Sequence, residues 1–224
     1  MDFTDITHYD LMLMPALGGR HCEFADALAL TLTSALTWVP MYLALLYVVA
    51  KKHKAAMPVL HIILCAGLCI LLADGMADGI VKPLTGRLRP LNDPEVSLMI
   101  TLVAGAEDSN YSFFSAHAAN TFSLCVFFSL MMRNMWLTLS MTLWSITNCW
   151  TRIYLGMHYP SDIFVGLIWG GISGCTAYYV FRKIWHKIAV RCPKMNSEYT
   201  HKDVIPVIAI IIITFISASI HAAI

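Results

Sequence analysis

The sequence predicts an all-α, polytopic membrane protein, with six transmembrane helices behind an N-terminal interfacial amphipathic segment. Three observations carry that prediction. Hydrophobic residues make up 58% of the 224 and charged residues only 13%, about half the roughly 25% of an ordinary soluble domain. Six apolar runs, at about 25–50, 57–81, 116–133, 136–156, 162–185 and 204–223, approach or exceed the ~20 residues an α-helix needs to cross a bilayer core. The basic residues between these runs are unevenly shared between alternate loops, as the positive-inside rule requires. The same composition excludes a disordered chain, and 15 Lys+Arg against 14 Asp+Glu leave no basic surface of the nucleic-acid-binding kind.

Residues 1–24 set Phe3, Ile6, Leu11, Leu13 and Leu17 among Asp2, Asp5 and Asp10. This stretch is too polar to span and reads as an amphipathic segment lying in the interface. No basic residue precedes Arg20, the reverse of a signal peptide's start, so no cleaved leader is expected. Residues 25–224 then form one six-helix membrane domain. The run at 204–223 is apolar almost throughout. The run at 57–81 carries Asp74 and Asp78, and that at 136–156 carries Asn148 and Arg152. Ionisable groups near span ends are costly and call for a reason. The seven cysteines, at 22, 65, 69, 125, 149, 175 and 192, form no CxxC pair and read as small hydrophobes rather than a disulfide framework or a zinc site.

Sidedness follows from the loops. Lys51, Lys52 and Lys54 follow the first run, Arg133 the third, and Arg182, Lys183, Lys187, Arg191, Lys194 and Lys202 the fifth, giving ten basic residues on one face. The opposite face has five: Arg20, Lys82, Arg87, Arg89 and Arg152. The first face is expected in the cytoplasm. Both termini and the long loop 82–115 are then expected outside it, in a periplasm or an exoplasmic space.

Three segments on that outer face carry chemistry. KPLTGRLRP places Lys82, Arg87 and Arg89 within eight residues; such mutually repelling cations need an anion, and the guanidinium fork suits phosphate oxygens. Snorkelling to lipid headgroups is the plainer alternative. YSFFSAHAANTF puts Ser115 and His117 at the start of the third run, where backbone amides and the helix dipole favour an anion. A plain Ser N-cap and a hydrogen-bonded interfacial His would look the same. TRIYLGMHYPSD supplies Arg152, His158 and Asp162. A carboxylate on one imidazole nitrogen fixes the tautomer and leaves the other nitrogen as nucleophile or base. An ester hydrolase with a Ser-His-Asp triad has no use for the surrounding cations, so the charge favours phosphorus over carbon. Together the segments describe metal-free phosphoryl transfer, with one His attacking phosphorus and the other protonating the leaving oxygen.

At these residues the chain closely resembles the type-2 phosphatidic acid phosphatase superfamily, whose signature reads KxxxxxxRP, PSGH and SRxxxxxHxxxD. Lys82 through Arg89-Pro90 match the first part, Phe114-Ser115-Ala116-His117 the second, and Thr151-Arg152 with His158 and Asp162 the third. Phe114, Ala116 and Thr151 depart from the pattern, and none removes a titrating group. The resemblance covers roughly residues 25–190. It implies that His158 is a nucleophile forming a phosphohistidine, that Asp162 orients it, and that His117 is the general acid. It further implies that Lys82, Arg89, Ser115, Ala116 and Arg152 bind phosphate without a metal or other cofactor. Arg87 lies outside the pattern and is expected to act as a gate or headgroup contact. The implied partners are a lipid phosphate substrate and membrane lipids, with no nucleic acid and no obligate protein partner. Among substrates, undecaprenyl diphosphate or phosphatidylglycerophosphate ranks first and lipid A second. A transporter, suggested by Asp74 and Asp78, and a silent lipid-binding scaffold are the alternatives from other classes. The scaffold would be expected to lose His117 or His158, and both are present.

Overall fold

The computed structural model describes residues 4–106, 110–191 and 198–224. Its helices are α1 (Thr4–Gly18), α2 (Glu23–Thr33), α3 (Val39–His53), α4 (Ala56–Met76), α5 (Lys82–Thr85), α6 (Ala116–Met132), α7 (Met135–Tyr154), α8 (Pro160–Arg191) and α9 (His201–Ala222). Among the described residues the only β-pairing is an isolated antiparallel bridge between Leu88 and Tyr111. All six apolar runs of the sequence fall on these helices. The first is not one rod, because the chain breaks at Ser34, and α2 meets the helical stretch Ala35–His53 at 68°.

Three helical stretches are long and apolar enough to cross a membrane: Ala56–Thr85, Pro160–Trp185 and His201–Ala222. The bent α2–α3 pair makes a fourth if it counts as one span, and Ala116–Met132 is apolar but shorter. The 20-residue α7 is not among them; its Ser, Thr, Asn148 and Arg152 dilute the apolar content. Against the expected six, the described residues thus hold three or four candidate spans by length and composition. Helix α1 does not divide simply into apolar and polar faces. It buries Asp10 beside Met14 and exposes Tyr9, Met12, Leu13 and Leu17.

The packing core is aromatic and aliphatic. Trp38, Trp144, Phe127, Met41, Ile62, Leu137 and Met141 are fully buried, and Trp38 stands edge-on to Trp144 and Phe215 at centroid distances of 5.9 and 5.3 Å. At one end of the bundle, Lys52 Nζ donates to Asp203 Oδ2 at 2.9 Å, His53 Nε2 lies 2.8 Å from Tyr199 Oη, and Asn134 Nδ2 lies 3.0 Å from His201 Nδ1. These contacts gather the ends of α3, α6 and α8 with the start of α9, and with them the basic residues Lys51, Lys52, Lys54 and Arg133. The three signature segments lie at the other end.

The closest helix pair, α6 and α8, sets the geometry of that end. Gly166, Gly170 and Gly174 recur every fourth residue along α8. A Cβ on any of them would stand 2.6 Å from a backbone oxygen of α6, namely those of Ser115, Ala119 and Ser123. Small residues at this spacing let two helix backbones approach where a side chain would hold them apart. The first rung lies one turn beyond Asp162 and touches Ser115, so the ladder fixes the second signature segment against the third.

Candidate active site

Each cationic residue is placed by a local feature. Helix α4 widens into a single π-helical turn, Ala77–Val81, before Lys82 opens α5; π-turns are rare and frequent at functional sites. The turn delivers Lys82 into a buried position, with its ammonium 2.6 Å from Asp78 Oδ1. Beyond α5 the chain runs extended, and Arg89 N donates to Asn110 O at 3.2 Å while Ser112 N donates to Arg87 O at 2.8 Å. Both ends of the long loop between α5 and α6 are thereby pinned together, which holds Arg89 beside the segment leading into α6. Arg152 comes from the last turn of α7, where its carbonyl accepts from Met157 N and His158 N at 3.0 and 3.2 Å. Its guanidinium Nη1 donates to Thr33 Oγ1, at the end of α2, at 3.1 Å.

Ser115 caps α6, its hydroxyl accepting from Ala118 N at 3.3 Å. Its own amide donates to Asp162 O at 3.1 Å, a direct bond between the second and third segments. Ala116 is the first residue of α6 and needs no left-handed backbone there, so its methyl group is tolerated. Phe114 packs in a small cluster with Ala73, Ala77, Ala116 and Ala119, and Thr151 is buried with its hydroxyl donating to Asn148 O at 2.8 Å. The three departures from the signature are therefore absorbed by packing and hydrogen bonding.

His158 occupies the centre. The chain leaves α7, turns at Gly156 in the left-handed region (φ +65°) and presents His158 one turn before Asp162. It is this backbone conformation that calls for glycine, since the one close contact a Cβ would make, with Ile100 Cδ1 at 2.8 Å, is with the movable end of a side chain. His158 Nδ1 lies 3.5 Å from Asp162 Oδ2, and Nε2 lies 3.2 Å from Arg89 Nη1. Arg89 Nη1 also donates to Met157 O at 2.8 Å. Burial, followed by the charges of Arg89, Arg152, Lys82 and His117, holds the imidazole well below its ordinary pKa of 6.5. It is thus neutral at physiological pH. Because the Arg89 guanidinium can only donate, Nε2 is assigned the lone pair that faces it, and the proton of the neutral ring is assigned to Nδ1 on the Asp162 side. Every site residue expected from the sequence converges here: His158, Asp162, Arg89, Arg152 and Lys82 are buried, Ser115 caps the helix that carries His117, and His117 is half-buried and within electrostatic reach of His158.

One expectation changes. Arg87 is 6% exposed and directs its guanidinium to Asp162 and Asp10, so it is an internal bridge rather than a gate or headgroup contact. Asp74 pairs with Asn120 Nδ2 at 2.6 Å and Asp78 with Lys82. Both acids are accounted for by neighbours, which removes the feature that suggested a transporter. Asp10 and Thr33 were not singled out by the sequence. They lie 151 and 119 positions from the groups they bind, beyond the reach of any local motif. Among the described residues no group of three or more His, Cys, Asp or Glu side chains is arranged to hold a metal ion.

Comparison with known proteins agrees with this geometry. The family model described as the PAP2 superfamily matches residues 58–186, which contain all three segments. The chain belongs to the PAP2 superfamily. Among its relatives, a protein of Bacteroides thetaiotaomicron named lipid A 4'-phosphatase is 35% identical over 190 residues, covering 84% of each chain. A protein of Porphyromonas gingivalis with the same name is 30% identical over 211 residues, 92% of this chain and 87% of that one. The Escherichia coli protein YbjG, whose name provisionally assigns it undecaprenyl-diphosphatase activity, is 27% identical over 161 residues, 68% of this chain and 80% of its own. No solved structure matches the chain. Residues of α1 and α2 that enter the site lie outside the segment matched by the PAP2 model.

Proposed function

We propose that this PAP2 protein is a metal-independent lipid phosphatase working through a phosphohistidine at His158. The observation that carries the reading is the two-sided environment of that imidazole, with Asp162 facing Nδ1, Arg89 against Nε2, and the charges of Arg152 and Lys82 acting on the ring. Nε2 bonds to phosphorus as the bond from phosphorus to the leaving oxygen breaks, and His117 delivers the proton to that oxygen. The three cations and the amides at the start of α6 take up charge on the equatorial oxygens. Water then attacks phosphorus and gives its proton to His117, the N–P bond breaks, and inorganic phosphate leaves.

The relatives move the order of substrates. Two proteins named lipid A 4'-phosphatase match over 84% and 92% of this chain, against 68% for the undecaprenyl-diphosphatase-like protein. A phosphomonoester on a lipid A-type glycolipid is therefore the first candidate, with undecaprenyl diphosphate and phosphatidylglycerophosphate behind it. Incubating the detergent-purified protein with these three lipids and phosphatidate tests both claims. Phosphate release is expected fastest from lipid A and undiminished by EDTA. Loss of activity in chelator with recovery in magnesium would replace the metal-free mechanism.

In the membrane, α2–α3, α4, α6, α7, α8 and α9 form six crossings of one domain over residues 25–224. Helix α1, part of the segment 1–24, lies at the interface of the outer leaflet over the site. The end carrying Lys51, Lys52 and Arg133 faces the cytoplasm of a bacterial inner membrane and the site faces the periplasm. With native cysteines removed, an impermeant thiol reagent added outside intact spheroplasts is expected to label Asn92→Cys and to spare Lys51→Cys. The reverse pattern overturns the orientation.

A further inference from the structure

Outside the signature segments, Asp10 in α1 is a buried carboxylate that accepts three hydrogen bonds. It is 2% exposed. Its Oδ2 accepts from Arg87 Nη2 at 2.7 Å and from Ser161 Oγ at 2.6 Å, and its Oδ1 accepts from Ser161 N at 2.8 Å. Arg87 Nη1 in turn donates to Asp162 Oδ1 at 2.7 Å, and its guanidinium stacks 3.9 Å from the centre of the Tyr159 ring. Asp162 is 0% exposed; its other oxygen accepts from Tyr159 N at 3.0 Å and faces His158. One guanidinium thus forks between two buried carboxylates, and the chain Asp10, Arg87, Asp162, His158 runs from α1 to the nucleophile.

We infer that Asp10 is a positioning residue of the active site, acting on His158 through Arg87 and Asp162. This rests on the phosphohistidine reading above. A buried Arg87–Asp162 pair alone is neutral and offers little to a developing imidazolium. Asp10 gives the assembly a net charge of −1, set against Arg89 at Nε2 and the charges of Lys82 and Arg152 that also act on the ring. When Nε2 bonds to phosphorus the imidazole becomes positive, and only the carboxylate side favours that charge. Unscreened burial makes a charge two links away felt. The carboxylate also clamps the backbone of Ser161, next to the loop that carries His158. Helix α1 is then part of the catalytic structure.

The sign of the effect separates this role from a merely structural one. The groups facing His158 are Lys82 from α5, Arg89 from the outer loop, His117 from α6, Arg152 from α7 and Asp162 from α8, with Arg87 and Asp10 behind Asp162. Removing the negative charge at position 10 disfavours imidazolium, so the acid limb of kcat/KM moves to lower pH. Removing the positive charge at position 87 does the opposite.

The test uses the full chain in detergent, with the best lipid of the panel, for wild type, Asp10→Asn, Arg87→Gln and His158→Ala. Asp10→Asn is expected to lose roughly 10- to 100-fold in kcat with KM changed by less than about threefold, and its acid limb to fall by about half a unit or more. Arg87→Gln is expected to raise the limb. A wild-type kcat in Asp10→Asn, or a loss of kcat with the limb unmoved, overturns the inference. If Asp10→Asn is recovered unfolded by thermal denaturation, Arg87→Gln decides alone, and a limb that stays put or falls overturns it. Wild type inactive on every lipid, or His158→Ala fully active, instead overturns the phosphohistidine reading.

Discussion

Replacing His158 with alanine is expected to abolish turnover, with a loss on the order of 10⁴-fold or more in kcat and no acid-labile phosphoenzyme. The argument is geometric. In the proposed mechanism His158 Nε2, which faces Arg89, is the nucleophile, and the cations whose charges act on the ring have no lone pair to offer at neutral pH. His117→Ala should behave differently. With a natural lipid alkoxide, loss of the proton donor slows the first step. With an activated leaving group the first step recovers, and the phosphoenzyme accumulates because water attack has lost its base. Quenched labelling with a phosphorus-32 substrate separates the two variants, and a labelled band in His158→Ala would reassign the nucleophile. The pH profile gives a second reading. A group whose pKa is depressed stays neutral down to more acidic pH, so the acid limb of kcat/KM in the wild type is expected below 6.5.

The candidate site was legible because its chemistry is local in sequence: each signature segment spans at most twelve residues, and the segments meet at one end of the bundle. Helix positions were legible because apolar runs of near-bilayer length leave few alternatives. The break at Ser34 was not: Thr31, Thr33, Ser34 and Thr37 dilute the apolar run there, but hydroxyl residues inside a run do not by themselves signal a 68° bend. The glycine ladder on α8 was present as a spacing, but spacing alone does not say which helix it meets. Arg87 illustrates the harder limit. Its charge placed it correctly in the cationic loop, yet its partners Asp10 and Asp162 lie 77 and 75 positions away. Reading polar residues of 1–24 as the solvated side of an interfacial helix followed from hydropathy. A buried carboxylate that completes a distant network looks the same in sequence.

Arg89→Ala and Arg152→Ala are each expected to lower kcat by about 10² or more, the scale for removing one donor aimed at transition-state charge. The two should differ in what else they disturb. Arg89 is bonded to Met157 O and lies against His158 Nε2, so its loss both removes a phosphate ligand and loosens the loop that presents the nucleophile. Arg152 is anchored through Thr33 at the end of α2, and its loss should leave the His158 loop largely in place. Orthovanadate, which takes a histidine nitrogen axially and carries charge on equatorial oxygens, distinguishes them. It is expected to inhibit the wild type competitively and to bind Arg152→Ala more weakly by about the factor lost in kcat. For Arg89→Ala the kcat loss should exceed the loss in vanadate affinity, because part of it comes from misplacing the nucleophile. Equal losses in both variants would reduce Arg89 to a phosphate ligand. Unchanged vanadate affinity in both would remove these arginines from the transition state altogether.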